Sequence, residues 1–186
     1  QVMDAMSTDA QGVLAVVATE GAAGSEALAT ALEGAGLVAV LTGAQDPGNA
    51  GAIIRAADAA GADAIVLVRG SVDPTAPKVV RSTAGSLFHL PIVTGVALDD
   101  VVAALHGAGL TVLAADGHGG IDLFEAESLL GAPGAWLLGN EARGLPPEAL
   151  SSADAVVSIP IYGKAESLNV AAAAALCLYA SARARA

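Results

Sequence analysis

The feature that most constrains this chain is an alternation. Short, uniformly apolar segments alternate along most of the chain with longer helix-like stretches. Residues 11–18, 37–41, 64–68, 92–94, 111–115, 136–138 and 156–159 are rich in Val, Leu, Ile and Ala and lack the apolar/polar alternation of a half-exposed strand. A strand of that kind has both faces covered, as in a mostly parallel sheet flanked by helices, so an α/β fold is expected. The cover comes from helix-like stretches at 25–33, 49–60, 78–87, 98–106 and 170–180. Gly61 stands where a helix needs a left-handed residue to end, and Pro77 stands where a helix accepts proline at its start. Residues 117–133 read as a long irregular excursion over the surface.

Length and composition narrow the class. A chain of 186 residues suits one domain with a real core. Hydrophobic residues make up 54%, yet the longest apolar run, 170–180, is about eleven residues against the roughly 20 that span a bilayer. No basic segment followed by an apolar run opens the chain, and a lone Cys177 forms no disulfide framework, so a cytoplasmic protein is expected. The net charge of −11 argues against indiscriminate nucleic-acid binding, because a phosphate backbone rewards Lys and Arg. The abrupt start at Gln1, without an initiating Met, leads us to expect residues 1–10 to be the end of a truncated N-terminal region or linker, ahead of a folded unit at 11–186.

Three glycine-bearing loops sit just after strands and collect the unusual polar residues. The first holds Asp46-Pro47-Gly48-Asn49, in which Asn49 can cap the next helix while Arg55 stands nearly two turns into that otherwise apolar helix. The second, Gly139-Asn140-Glu141-Ala142-Arg143-Gly144-Leu145, carries opposite charges, which fits either a turn held by a local ion pair or a ligand loop. In the third, Pro160 ends a strand, Gly163 lets the chain turn, and Ser167 stands at the expected N-cap, placing Asn169 in a first turn with free N–H groups. A strand end, a tight loop and a helix N-terminus together are how α/β proteins hold ligands, and equally how they make ordinary connections. No GxGxxG follows the first strand, and Gly117-His118-Gly119-Gly120 has the wrong spacing for a dinucleotide site.

Taken together, Asp46 to Asn49 with Arg55, then Gly139 to Leu145, then Ile159-Pro160 with Gly163 and Ser167-Leu168-Asn169-Val170 resemble, in order and spacing, the three motifs of the SpoU (TrmH) family of RNA 2′-O-ribose methyltransferases. The segment from Pro77 to Phe88 resembles the family's stretch between the first two motifs. The resemblance implies an α/β domain with a deep C-terminal trefoil knot, an exception to the rule that chains are unknotted. It implies S-adenosylmethionine as cofactor, with Gly139, Ile159, Leu168 and Ala115 at the matching contact positions. Arg55 matches the family's catalytic arginine. It either helps to activate the ribose hydroxyl or, since a guanidinium is a poor base, grips a phosphate and stabilises alkoxide charge. Asn49, Glu141, Ser167 and Asn169 match the remaining polar motif positions, with Glu141 orienting Arg55 or a backbone group.

The basic residues are few but not scattered. Lys78, Arg81, Arg143 and Lys164 lie in or between the motifs and are expected to contact RNA, while Glu20, Glu26, Glu33, Asp99 and Asp100 lie on other segments. The expected activity is methyl transfer to a ribose 2′-hydroxyl in structured rRNA or tRNA, by a homodimer and without a metal. The small side chains of the 170–180 helix permit close approach of a second copy. The alternative is a non-catalytic RNA- or cofactor-binding module that keeps the fold.

Overall fold

In a computed structural model of the chain, residues 23–186 are described. The strand expected at 11–18 and the tail at 1–10 lie outside the described residues. Seven strands form one sheet: β1 (Leu37–Leu41), β2 (Ala64–Leu67), β3 (Ile92–Thr94), β4 (Thr111–Ala115), β5 (Ile121–Asp122), β6 (Gly134–Leu138) and β7 (Ala155–Ser158). Their order is β3-β2-β1-β6-β4-β7-β5, and every pairing is parallel. The helices are α1 (Gly24–Leu32), α2 (Pro47–Ala59), α3 (Pro77–Ser82), α4 (Leu98–Gly107), α5 (Glu127–Leu130), α6 (Pro147–Ser152) and α7 (Val170–Ala184).

Both faces of the sheet are covered, as unalternated strands require. Leu37, Ala39 and Leu41 of β1 join the side chains of α2, α3, α5 and α7 in one core, while Val38 and Val40 join those of α1, α4 and α6 in the other. Successive side chains of a strand point to opposite faces, so one apolar strand feeds two cores. Trp136, fully buried on β6, donates from Nε1 to Ser181 Oγ of α7 at 2.9 Å. Without that acceptor, a buried donor would cost about 1–3 kcal/mol.

Two sequence expectations need correction. The helix expected at 78–87 stops at Ser82 and resumes as a 3-10 turn, Ser86–Phe88, because Ala84 and Gly85 take left-handed conformations with φ of 50° and 102°. The stretch 117–133 is not a surface excursion. It holds β5, a 3-10 turn (Leu123–Glu125) and α5, and it buries Leu123, Ala126 and Leu130 in the α7-side core. Residues 116–120 cross the end of β7, so that β4 and β5 flank a strand that comes later in sequence. At Gly119 a Cβ would lie 2.7 Å from the Val157 carbonyl carbon, so the crossing needs glycine.

Candidate functional site

Because the sheet is parallel, the loops after β1, β4, β6 and β7 all leave from one edge. Leu41 is level with Leu138, and Ala115 with Val157. Between the loops after β4, β6 and β7 lies a cleft of about 520 Å³, and Ala115, Gly139, Ile159 and Leu168 all line it, with Glu141 and Ser167. Arg55, Asn49 and Asn169 do not line it.

The loop after β1 is tied down at once. Thr42 donates from both its backbone N–H (2.9 Å) and its Oγ1 (3.0 Å) to the Leu138 carbonyl. It then turns into α2, whose N-cap is Asp46 and not Asn49: the Asp46 carboxylate accepts the Asn49 N–H at 2.8 Å. With its N-cap role taken, the Asn49 side chain is available to bond elsewhere.

The loop after β6 closes on itself. Asn140 and Gly144 exchange backbone hydrogen bonds of 2.9 Å, and Gly144 has φ of 68°. The Asn140 side chain fills this loop: its Oδ1 accepts the N–H groups of Ala142 (3.0 Å) and Arg143 (3.2 Å), and its Nδ2 donates to the Gly43 carbonyl at 2.8 Å. Asn140 thus clamps the second loop to the first. Sequence reasoning did not single it out, although an Asn opening a glycine-closed turn is the residue type that bonds its own backbone two residues on.

A relay of side chains joins all three motif loops. Glu141 accepts from Asn49 Nδ2 (3.4 Å), from Asn140 Nδ2 (3.3 Å) and from the Asp46 N–H (3.3 Å); Asn49 Oδ1 accepts from Asn169 Nδ2 at 3.1 Å. Asn169 is the N-cap of α7, accepting the N–H groups of Ala171 (2.9 Å) and Ala172 (3.3 Å), so the cap is two residues later than the Ser167 expected. Ser167 instead lines the cleft. These groups are on the surface, where each bond contributes roughly 1 kcal/mol or less. Their effect is to fix three loops relative to one another.

The cations divide into two sets. Arg143 and Lys164 are exposed on the loops that wall the cleft, while Arg55, on α2, is exposed and joined by the exposed Lys78 and Arg81 of α3. Asp58, one turn beyond Arg55, accepts hydrogen bonds from Ser86 and from His89 Nδ1 (2.7 Å), which hold its carboxyl below the ordinary value. Burial in the α7 core pushes the Cys177 thiol up to about 12, which removes it as a nucleophile. Among the described residues no cluster of His, Cys, Asp or Glu has metal-binding geometry, and no helix is long and apolar enough to cross a membrane.

Comparison with known proteins agrees with this geometry. The family model for the SpoU rRNA methylases matches residues 36–179. A 23S rRNA (uridine(2479)-2′-O)-methyltransferase of Streptomyces viridochromogenes is 41% identical over 120 residues, covering 62% of this chain and 41% of that protein. The tRNA (guanosine(18)-2′-O)-methyltransferase of Escherichia coli strain K12 is 36% identical over 105 residues, covering 56% of this chain and 45% of its own. The crystal structure of the SpoU methyltransferase AviRb from Streptomyces viridochromogenes in complex with the cofactor AdoMet superposes with a TM-score of 0.73 at 38% identity, over 80% of this chain and 60% of that one. The chain therefore spans less than half the length of these curated relatives. From the matched span, the parallel sheet and the superposition, the chain belongs to the SpoU rRNA methylase family.

Proposed function

We propose that this chain transfers a methyl group from S-adenosylmethionine to a ribose 2′-hydroxyl of rRNA or tRNA. The observation that carries the reading is the cleft at the carboxyl ends of three parallel strands, β4, β6 and β7, bordered by one side-chain relay that joins three loops. Its volume suits a ligand of that size. Small and apolar lining at Ala115, Gly139, Ile159 and Leu168 leaves backbone groups open to an adenine and an amino-acid moiety, and the carboxylates of Asp116 and Glu166 complement a cationic ligand. Bound there, S-adenosylmethionine supplies an electrophilic methyl group on a sulfonium.

The chain's own residues do the rest. A secondary alcohol is a weak nucleophile at neutral pH, so transfer needs charge beside the oxygen, alignment and exclusion of water. Arg55 carries a guanidinium, a poor base, and serves as a phosphate grip and stabiliser of alkoxide charge. It stands six residues beyond Asn49, about 9 Å along α2. The extended arginine side chain and one sugar–phosphate unit close that gap together. Asn49, Glu141 and Asn169 hold the loops in register, Ser167 contacts the ribose or cofactor, and Arg143 and Lys164 guide the RNA backbone.

The same reading includes a trefoil knot, supported by residues 116–120 crossing the end of β7. It includes a cytoplasmic location, where rRNA and tRNA are modified. It also includes a homodimer packed on α7, whose Ala172, Leu176, Tyr179 and Arg183 are exposed at i, i+4, i+7 and i+11 along one stripe. Sedimentation should find a dimer at micromolar concentration, with Leu176→Glu shifting it to monomer; a monomeric parent would end that part of the proposal.

Calorimetry should show binding of S-adenosylmethionine and S-adenosylhomocysteine. With a responsive RNA, label from the methyl group should survive alkaline hydrolysis in an uncleaved dinucleotide and vanish when the target nucleotide is 2′-deoxy. Equal methylation of the deoxy RNA would overturn the ribose assignment, and cofactor binding without turnover on any RNA would leave a binding module.

A further inference from the structure

We propose that the face made by α2, α3 and the 3-10 turn Ser86–Phe88 is a docking surface for a single-stranded stretch of RNA. There Phe88 stacks an unpaired base, and Arg55 and Lys78 hold the adjoining phosphates. The proposal rests on the methyltransferase reading for the identity of the partner and on the following geometry for its place.

Pro47, Gly51, Arg55 and Asp58 fall within an arc of about 80° on α2, counting about 100° per residue. Contacts at both ends of that stripe show what runs beside it. Ser82 Oγ donates to the Pro47 carbonyl at 3.1 Å, and a Cβ on Gly51 would meet the Val79 carbonyl at 2.9 Å. At the far end Asp58 bonds His89 and Ser86. The segment 79–89 therefore lies along the stripe, and Arg55 is bracketed by it, about 6 Å from Gly51 and about 4.5 Å from Asp58 along the helix axis. Arg55 is exposed and makes no hydrogen bond or ion pair to another described residue. In the same segment, between the Ser86 and His89 that bond Asp58, Phe88 is 69% exposed and presents a ring to solvent.

Charge selects the occupant. Residues 74–98 contain no Asp or Glu in a chain of net charge −11, while they carry Lys78, Arg81 and His89. The carboxylate nearest Arg55 in sequence is Asp58, already engaged by His89 and Ser86. The other exposed phenylalanine, Phe124, sits among Asp122, Glu125 and Glu127, where phosphate is repelled. An aromatic ring edged by cations is the means by which proteins hold unpaired strands, since every base offers a π-face and every nucleotide a phosphate.

The test uses a short, unstructured, fluorescein-labelled RNA of mixed sequence, with binding followed by anisotropy at low salt. Phe88→Ala and Phe88→Leu should each weaken binding by about tenfold or more, and Phe88→Trp should retain it, because stacking needs a ring and not merely apolar area. Lys78→Ala should lower the salt slope by about 0.7, the loss of one phosphate contact on a single strand. S-adenosylmethionine affinity should be unchanged in every variant, so loss of cofactor binding by the parent would indict the methyltransferase reading and not this surface. Parent-like binding by Phe88→Ala or Phe88→Leu, or no binding of the probe by the parent, overturns the proposal. So does a fall in sedimentation mass with Phe88→Ala, which would mark the face as a contact between protein copies.

Discussion

Replacing Gly139 by alanine should damage stability and cofactor binding together, by an amount the backbone sets. An added Cβ would lie 2.6 Å from the Leu145 nitrogen and 2.8 Å from the Gly144 oxygen, with the Gly144 carbonyl carbon closer still, whereas ordinary contact begins at 3.4 Å. The loop must therefore retreat by at least 0.8 Å, from 3.4 minus 2.6, and all three atoms are backbone, so no side chain can swing aside. Overpacking of this kind costs about 1–3 kcal/mol. If the retreat also opens the Asn140–Gly144 pair of 2.9 Å bonds, about 1 kcal/mol is lost for each. With both bonds lost the total is about 3–5 kcal/mol, which corresponds to a fall in Tm of roughly 6–20 °C for a domain of this size. Asn140 and Glu141 move with the loop, so S-adenosylmethionine affinity should drop by about tenfold or more. Gly163→Ala is the control, since its Cβ would meet nothing within 4 Å; it should stay within about 0.5 kcal/mol of the parent. Urea denaturation and calorimetry check both claims. A Gly139→Ala protein as stable as the parent, with unchanged cofactor affinity, would refute the argument from close backbone approach.

Further outcomes follow from the same geometry. Arg55→Ala should abolish methyl transfer yet leave S-adenosylmethionine affinity within a few-fold, because Arg55 does not line the cleft; joint loss in calorimetry and turnover would make it a cofactor or structural residue. Asn169→Ala should cost about 1 kcal/mol through the lost α7 cap, and Asn169→Ser should recover that stability, but not activity, since serine can accept the Ala171 N–H and cannot reach Asn49. Thermal melts paired with turnover separate the two effects. The Asp58 carboxyl is held below its ordinary value of 3.8, so its contact with Ser86 and His89 contributes stability above that pH and loses it as pH falls through the folded-state value. In urea titrations Asp58→Asn should thus be less stable than the parent at neutral pH, and the difference should shrink below pH 3.8.

Much of the architecture was written in local pattern. Leu37–Leu41 and Thr111–Ala115 are strands at the bounds expected, because an apolar run with no polar alternation can be satisfied only between two layers. Three short motifs in order marked the loops that the Asn49–Glu141–Asn169 relay joins, two of which line the cleft, since loops after parallel strands leave from one edge. What local pattern left undecided depended on partners distant in sequence. Asp46 and Asn169, not Asn49 and Ser167, cap α2 and α7, because the cap is whichever polar residue stands where the backbone enters the helix, and that entry is set by the loop's anchoring. Residues 117–133 carry Leu123, Ala126 and Leu130 in elements too short to show a period, yet packing against α7 buries them. Asn140 meets Gly43 across 97 positions of sequence, and His89 meets Asp58 of α2 beyond the Ala84–Gly85 turn that breaks the expected helix. Periodicity fixes which face of an element is apolar, a property of neighbouring residues. Which loop meets which is decided by strand order, and that order is settled by the burial of the whole sheet at once.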